Sequence, residues 1–457
     1  VRPLIPLIPN RRIVLASAVL SAAVLVATAL PGVAATTTTG RTPHESVISV
    51  TGAPAPGPAR TDRLKVIQIG DPDARRVLVL IAGRGEAANG FRNVARALTT
   101  RDPGLQVWAV DRREQNLADL SGFEHGADAA ASYYLGGHYQ HQSVASAPYT
   151  ARWGLGTELA DIRQVVLKAR DAGRRQVVLG GHSLGATAVL DYAAWDFDGH
   201  PGYRDLAGMM LLDGGVRNAL SGAGIDFSLT QEGADTWLQQ IHDGAVFDNA
   251  TSLYNNFGDG PEAAAVWYQV LAEYAADAPH QISPVWQKLP DAIRPDHALT
   301  NAGLFGWVMD QHAALPGYAV SSGHLNDAGD WVDEGPTRLQ TVAQSFAGPD
   351  PSAWEWYSPN RLALDYFGSA AFADNAVARS LGLRLKHVSQ INVPLYVFQS
   401  DLTHGTVGQA AQALAGSTRI PRIEVHTDET MTHLDILFAQ AGQNSFVQTA
   451  GPFLRSF

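Results

Sequence analysis

The 457-residue chain has no cysteine, which excludes disulfides, thiolate metal sites and a cysteine nucleophile. It is sparing with charge: Asp, Glu, Lys and Arg make up 17% of it, and the acids prevail to give a net −11. The first 35 residues carry Arg2, Arg11 and Arg12 and no acid, so the remainder stands near −14. A body this acidic offers no electrostatic footing to nucleic acid and no attraction to an anionic membrane. No internal repeat is visible. At 46% hydrophobic, the chain can bury a sizeable core, either as one large domain with an insertion or as two domains.

One long apolar run stands out, Ile13 to Leu30. Arg11-Arg12 precede it, and Pro31-Gly32-Val33-Ala34-Ala35 closes it with the small residues of a cleavage site. Residues 1–35 read as an export signal, with Asn10-Arg11-Arg12-Ile13-Val14-Leu15 a partial match to the twin-arginine type. The expected protein is therefore secreted, with no stable membrane insertion once the signal is removed. Residues 36–60, with the run Thr36-Thr37-Thr38-Thr39 and the stretch Gly52–Pro58, read as a flexible linker.

Beyond the linker, strand-like runs at Leu64–Ile69, Val77–Ile81, Gln106–Val110, Gln176–Gly181 and Met209–Leu212 alternate with helical patterns near Phe91–Leu98, Leu155–Arg170 and Ala186–Trp195. That rhythm predicts an α/β fold, a mostly parallel sheet flanked by helices. From 214 to 392 the rhythm breaks, and helical runs appear at Ala263–Ala276, Pro336–Phe346 and Arg361–Leu381 along with seven tryptophans. So long a stretch does not stay structureless inside a compact protein. It reads as a helical cap, its tryptophans mainly cap core, with one or two candidates for an apolar substrate pocket. The α/β pattern resumes over 393–457, so the core comprises 61–213 and 393–457.

The chain is organised around Gln176-Val177-Val178-Leu179-Gly180-Gly181-His182-Ser183-Leu184-Gly185-Ala186. A buried strand runs into Gly-His-Ser-Leu-Gly, and a helix leaves at once. A serine at so sharp a turn is strained with its hydroxyl presented, and only glycine fits two positions to either side. The first amides of the new helix point at the same spot, ready for developing negative charge.

These residues resemble the α/β-hydrolase superfamily, on its lipase/esterase side, across the core but not the cap. The resemblance implies a nucleophile–acid–histidine order, here Ser183, Asp401 and His433. A serine hydroxyl needs a neighbouring base, histidine titrates near neutrality, and a buried carboxylate fixes its tautomer. Asp213, also at a strand end, is the alternative acid, because some family members use that position. His404 and His426 compete with His433, which the Thr-His-Leu-Asp setting favours. The oxyanion hole would combine the N–H of Leu184 with that of Arg84, Gly85 standing behind it. The loop Ala82-Gly83-Arg84-Gly85 departs from the His-Gly forms common in lipases.

The expectation is a secreted serine hydrolase that cleaves small-molecule or lipid-like carboxylic esters through an acyl-enzyme, with no metal or organic cofactor. An acyltransferase or peptidase would use the same apparatus, and a silent binding module would lack its chemistry. An aspartate nucleophile, as in the family's dehalogenases and epoxide hydrolases, is excluded by Ser183. Arg84, Arg112 and Arg113 at neighbouring strand ends either hold an anionic substrate group or pair with nearby acids. His138 and His141 lack a set of partner ligands, and the acidic turn Asn326–Glu334 lacks EF-hand spacing.

Overall fold

A computed structural model describes residues 42–248, 257–258, 260–312, 317–348 and 352–457. The expected export signal lies outside the described residues. Eight strands form one sheet: β1 (Glu45–Thr51), β2 (Arg63–Gly70), β3 (Arg76–Ile81), β4 (Leu105–Val110), β5 (Gln176–His182), β6 (Gly208–Leu212), β7 (Leu395–Gln399) and β8 (Ile423–Thr427). They lie in the order β1-β2-β4-β3-β5-β6-β7-β8. β2 runs antiparallel to both of its neighbours, and every other pairing is parallel.

The central strands are apolar at nearly every position because both faces are covered. Alternate residues serve opposite faces. Leu78, Leu80, Val107, Met210 and Phe398 pack on one side with helices Arg92–Arg101 and Ser445–Leu454. Val77, Val79, Leu179, Leu211 and Val397 pack on the other with helices Leu155–Arg170, Leu184–Ala194 and Thr406–Ala413. Parallel strands deliver their C-terminal ends to one rim, where loops can gather functional side chains.

Between β6 and β7 the chain makes a mainly helical insertion, with helices Gln231–His242, Ala263–Asp277, Asn301–Gly306, Leu339–Phe346, Asn360–Ser369 and Ala376–Ser380 and a small hairpin of Gly323–Leu325 with Trp331–Asp333. Its side chains, Tyr268 and Phe305 among them, merge with the apolar layer on one face of the sheet. Residues 41–457 form one compact unit. Among the described residues, no helix is long and apolar enough to cross a membrane.

Two expectations need correction. Residues 45–51 of the predicted linker are the edge strand β1, whose Val47, Ile48 and Val50 pair with β2. The Pro/Gly stretch beyond it is tied down, with Asp161 accepting the Ala53 N–H at 2.7 Å and Trp153 donating to the Pro56 carbonyl at 2.7 Å. The single helix expected over Arg361–Leu381 is two. Phe372 takes a left-handed φ of 49° after the first, and the Asn375 side chain caps the second by accepting from the Ala378 N–H.

Candidate active site

β5 ends in His182, and Ser183 follows with φ 55° and ψ −123° before the helix begins at Leu184. For a residue with a Cβ such a backbone costs about 1–3 kcal/mol and persists only when its surroundings enforce it. A Cβ on Gly181 would lie 2.1 Å from the Gly185 carbonyl oxygen, and one on Gly185 would lie 2.2 Å from that of Ile81. The elbow is therefore wedged between β3 and its own helix. Leu184, as the first helical residue, has an N–H with no carbonyl four residues earlier in the helix to accept it.

Asp213 and His433 meet at the same rim. Both are fully buried, and Nδ1 of His433 is 2.7 Å from Oδ2 of Asp213. Ser400 adds two donors to this carboxylate, its N–H to Oδ1 at 2.9 Å and its hydroxyl to Oδ2 at 2.5 Å. Burial pushes the Asp213 carboxyl up, but the His433 and Ser400 hydrogen bonds and the His433 charge outweigh it and hold the group below its ordinary value. Burial and the neighbouring His182 charge press the His433 pKa below its ordinary value, against the pull of Asp213 and Glu86. Nε2 of His433 is buried with no hydrogen-bond partner among the described residues, so the Ser183 hydroxyl is not bonded to it in this structure. The loop carrying His433 hangs on the insertion: the His433 N–H donates to Gly317 O at 2.8 Å, and Asp435 accepts from Thr432 and Ser321 N–H and the Thr337 hydroxyl.

Asp401 is not part of this cluster. Its side chain is half exposed and lies 3.5 Å from His404. Side chains face alternate ways along an extended chain. The residue beyond β7 that turns to the site is Ser400, and Asp401 follows it outward. The acid that the structure places on His433 is the alternative, Asp213. His404 is exposed, and His426, on the edge strand β8, stacks on Tyr396.

The loop after β3 lies against the elbow, where a Cβ on Gly83 would sit 2.7 Å from Cβ of Ser183. Gly83 to Glu86 form a turn closed by Glu86 N–H to Gly83 O at 3.3 Å, with Gly85 at φ 73°, a conformation that suits glycine in this third position. Arg84 occupies the second position, and its guanidinium pairs with Asp248. Arg112 pairs with Glu355 at 2.7 Å and donates to the carbonyls of Ala82 and Gly83. Arg113 pairs with Asp161 at 2.6 Å. All three arginines thus have structural acids, and Arg112 buttresses the loop beside Ser183.

Sequence reasoning passed over Glu86 and His182. Nδ1 of His182 lies 2.8 and 3.0 Å from the two Glu86 carboxylate oxygens, and Nε2 lies 3.0 Å from the His433 carbonyl oxygen. Glu86 also accepts the Gly83 N–H at 2.7 Å. The available signal was a histidine inside an otherwise apolar strand, which has to find polar partners once buried. Among the described residues, Glu86, His182 and His433 are the one trio of metal-type ligands, within 4.8 Å of one another. Both nitrogens of His182 are already engaged, so the trio is an internal hydrogen-bonding unit. Beside it lies a small pocket lined by Glu86, Tyr318, Phe346, Trp354, Leu437 and Phe438, with Tyr318 stacked on His433 at 4.7 Å. Of the seven insertion tryptophans, Trp354 lines this pocket, whereas Trp356 is buried in the insertion and bonds Gln269.

The strand order, the strained elbow and the loop-borne histidine and aspartate define a class, and the chain has the fold of the α/β-hydrolase superfamily. No protein-family profile matches the chain, and no curated protein matches its sequence. Among solved structures, a protein from Sulfolobus solfataricus provisionally assigned as a lipase is similar with a TM-score of 0.50 and 16% identity, over 91% of this chain and 95% of that one. An epoxide hydrolase from an endophytic Streptomyces has a TM-score of 0.43 and 14% identity, over 91% and 96%. At such identities the likeness speaks to the fold alone.

Proposed function

We propose that the protein is a serine hydrolase that cleaves carboxylic esters through an acyl-enzyme. The observation that carries this reading is the arrival of a buried His433–Asp213 pair at the rim where the elbow presents Ser183. In this mechanism the Ser183 hydroxyl attacks the ester carbonyl while Nε2 of His433 takes its proton. Asp213, on Nδ1, fixes the productive tautomer and stabilises the imidazolium. The N–H groups of Leu184 and Arg84 receive the oxyanion, each such donor contributing roughly 100- to 1000-fold in rate. His433 then returns the proton to the departing alkoxide, and water releases the acid by the same steps in reverse.

The lining of the small pocket beside the site, Tyr318, Phe346, Trp354 and Phe438 among it, supports a substrate with an apolar side. A fluorophosphonate probe should label the protein covalently, and Ser183→Ala should abolish labelling. Folded protein that stays unlabelled would overturn the reading in favour of a binding role. The leader-like residues 1–35 support the further proposal that the enzyme works outside the cytoplasm, which N-terminal sequencing of exported protein, expected to begin at Thr36, would check.

A further inference from the structure

His182 has no exposure to solvent, yet both of its ring nitrogens face acceptors. Nδ1 faces the Glu86 carboxylate at 2.8 Å, and Nε2 faces the His433 carbonyl at 3.0 Å. A carbonyl oxygen accepts only, so Nε2 carries a hydrogen. The proton shared across Nδ1 and Glu86 belongs to the imidazole, the stronger base of the two by about two pH units in water. The Gly83 N–H, at 2.7 Å from Oε2, is one more donor to an ionised Glu86.

We infer that Glu86 and His182 form a buried carboxylate–imidazolium pair that fixes the main chain of His433, making both of them positioning residues. The charge assignment stands on the contacts and on the greater basicity of imidazole; the positioning role rests on the serine-hydrolase reading. The pair completes a hydrogen-bonded series through the site: the Gly83 N–H and the His182 ring donate to Glu86, His182 donates to the His433 carbonyl, and the His433 ring and the Ser400 hydroxyl both donate to Asp213. Asp213 sets the tilt of the His433 ring from one side, and His182 holds its backbone from the other.

The positive charge also has an electrostatic consequence. The His182 and His433 rings are 4.2 Å apart between centroids, so a cation on the first opposes protonation of the second. Asp213 and Glu86 favour that protonation, the Tyr318 ring covers another face, and Asp435 spends its carboxylate on Thr432, Ser321 and Thr337. The balance leaves His433 neutral, and so able to act as a base, at lower pH than an ordinary histidine.

Two measurements on the full folded chain test this. In protein carrying 15N-labelled histidine, with His182 assigned by its loss in His182→Gln, both His182 ring nitrogens should stay protonated as the pH is raised through the ordinary histidine midpoint. A neutral ring, or titration near the ordinary histidine midpoint, overturns the pair whether or not the protein hydrolyses esters. The second uses Glu86→Gln, whose amide keeps the contacts to Gly83 and His182 but leaves His182 neutral. The acid limb of kcat/KM should move up in this variant, because the opposing His182 charge is lost along with the smaller pull of Glu86. His182→Gln should also lose roughly 10- to 100-fold in kcat with KM little changed. An acid limb unmoved in Glu86→Gln overturns the positioning role. Absence of any Ser183-dependent turnover in the wild type instead refutes the proposed function and removes that role with it, leaving the spectrum to decide the charge.

Discussion

Two buried polar clusters lie close together behind the strand ends, and they solve the same problem differently. Around Ser183, every oxygen of Glu86 and Asp213 has at least one donor, and the carboxylates remain ionised. Around Arg112 the acids outnumber the bases. Glu355 pairs with it at 2.7 Å, while Glu114 at 3.3 Å and Glu158 at 3.8 Å crowd the same guanidinium. Asp191 and Asp365 extend the group, Arg361 pairing with Asp365 at 2.8 Å. Here protons take the place of partners. Burial raises Asp365 to about 6 and Asp191 to about 8, and Glu114 is pushed well above the carboxylate range by burial and by Glu355. The first cluster keeps its charges by donating to them, the second by neutralising the surplus. The pH sensitivity of activity should therefore sit in one cluster and that of stability in the other.

The sharpest way to break this contrast is at the acid. Asp213→Asn should lower kcat for ester hydrolysis by about 10⁴-fold, because the His433 tautomer is lost with the geometry intact, whereas Asp401→Asn should change it by less than about twofold. Steady-state kinetics on a p-nitrophenyl ester decides it, and the reverse ranking would return the role to Asp401. Arg112→Gln should cost about 3–5 kcal/mol of stability in urea unfolding, since it strands the buried Glu355 carboxylate and frees the Ala82 and Gly83 carbonyls. Unfolding as in the wild type would show that the second cluster does not depend on its cation.

Asp191→Asn should act in the opposite direction. In the folded protein Asp191 holds its proton to about 8, against 3.8 ordinarily, so its contribution to stability falls as pH rises through that window. The variant should gain on the wild type between pH 4 and 8, by on the order of a few kcal/mol at the upper end. A gap of equal size at pH 5 and pH 8 would contradict this. Least in size, the acid limb of wild-type kcat/KM should fall below pH 6.5, because His433 is held under its ordinary value.

The elbow was legible because its constraint is local: the glycines two residues before and after Ser183 are dictated by backbone clashes that hold wherever the motif occurs. The central strands were legible for a similar reason, being apolar on both faces. The choice between Asp213 and Asp401 was not. Both follow a buried strand, and which one turns inward depends on where β7 stops relative to the pleat, a one-residue matter absent from the pattern. Glu86 was missed because its role comes from a turn that folds it back over Gly83, and the helix Ser445–Leu454 because Pro452 lies inside it. β1 escaped notice because a seven-residue edge strand between threonines and prolines has the composition of a tether.

The turn bearing Arg84 shares main-chain hydrogen bonds with the insertion: Glu355 N–H to Gly85 O at 2.9 Å, Ala87 N–H to Ala353 O at 2.9 Å and Asn89 N–H to Ser352 O at 3.2 Å. Those bonds make this margin of the insertion a doorpost and not a door. Were it to swing outward it would drag an amide proposed to receive the oxyanion off its mark, so substrate traffic has to be routed past some other margin while this one stays shut.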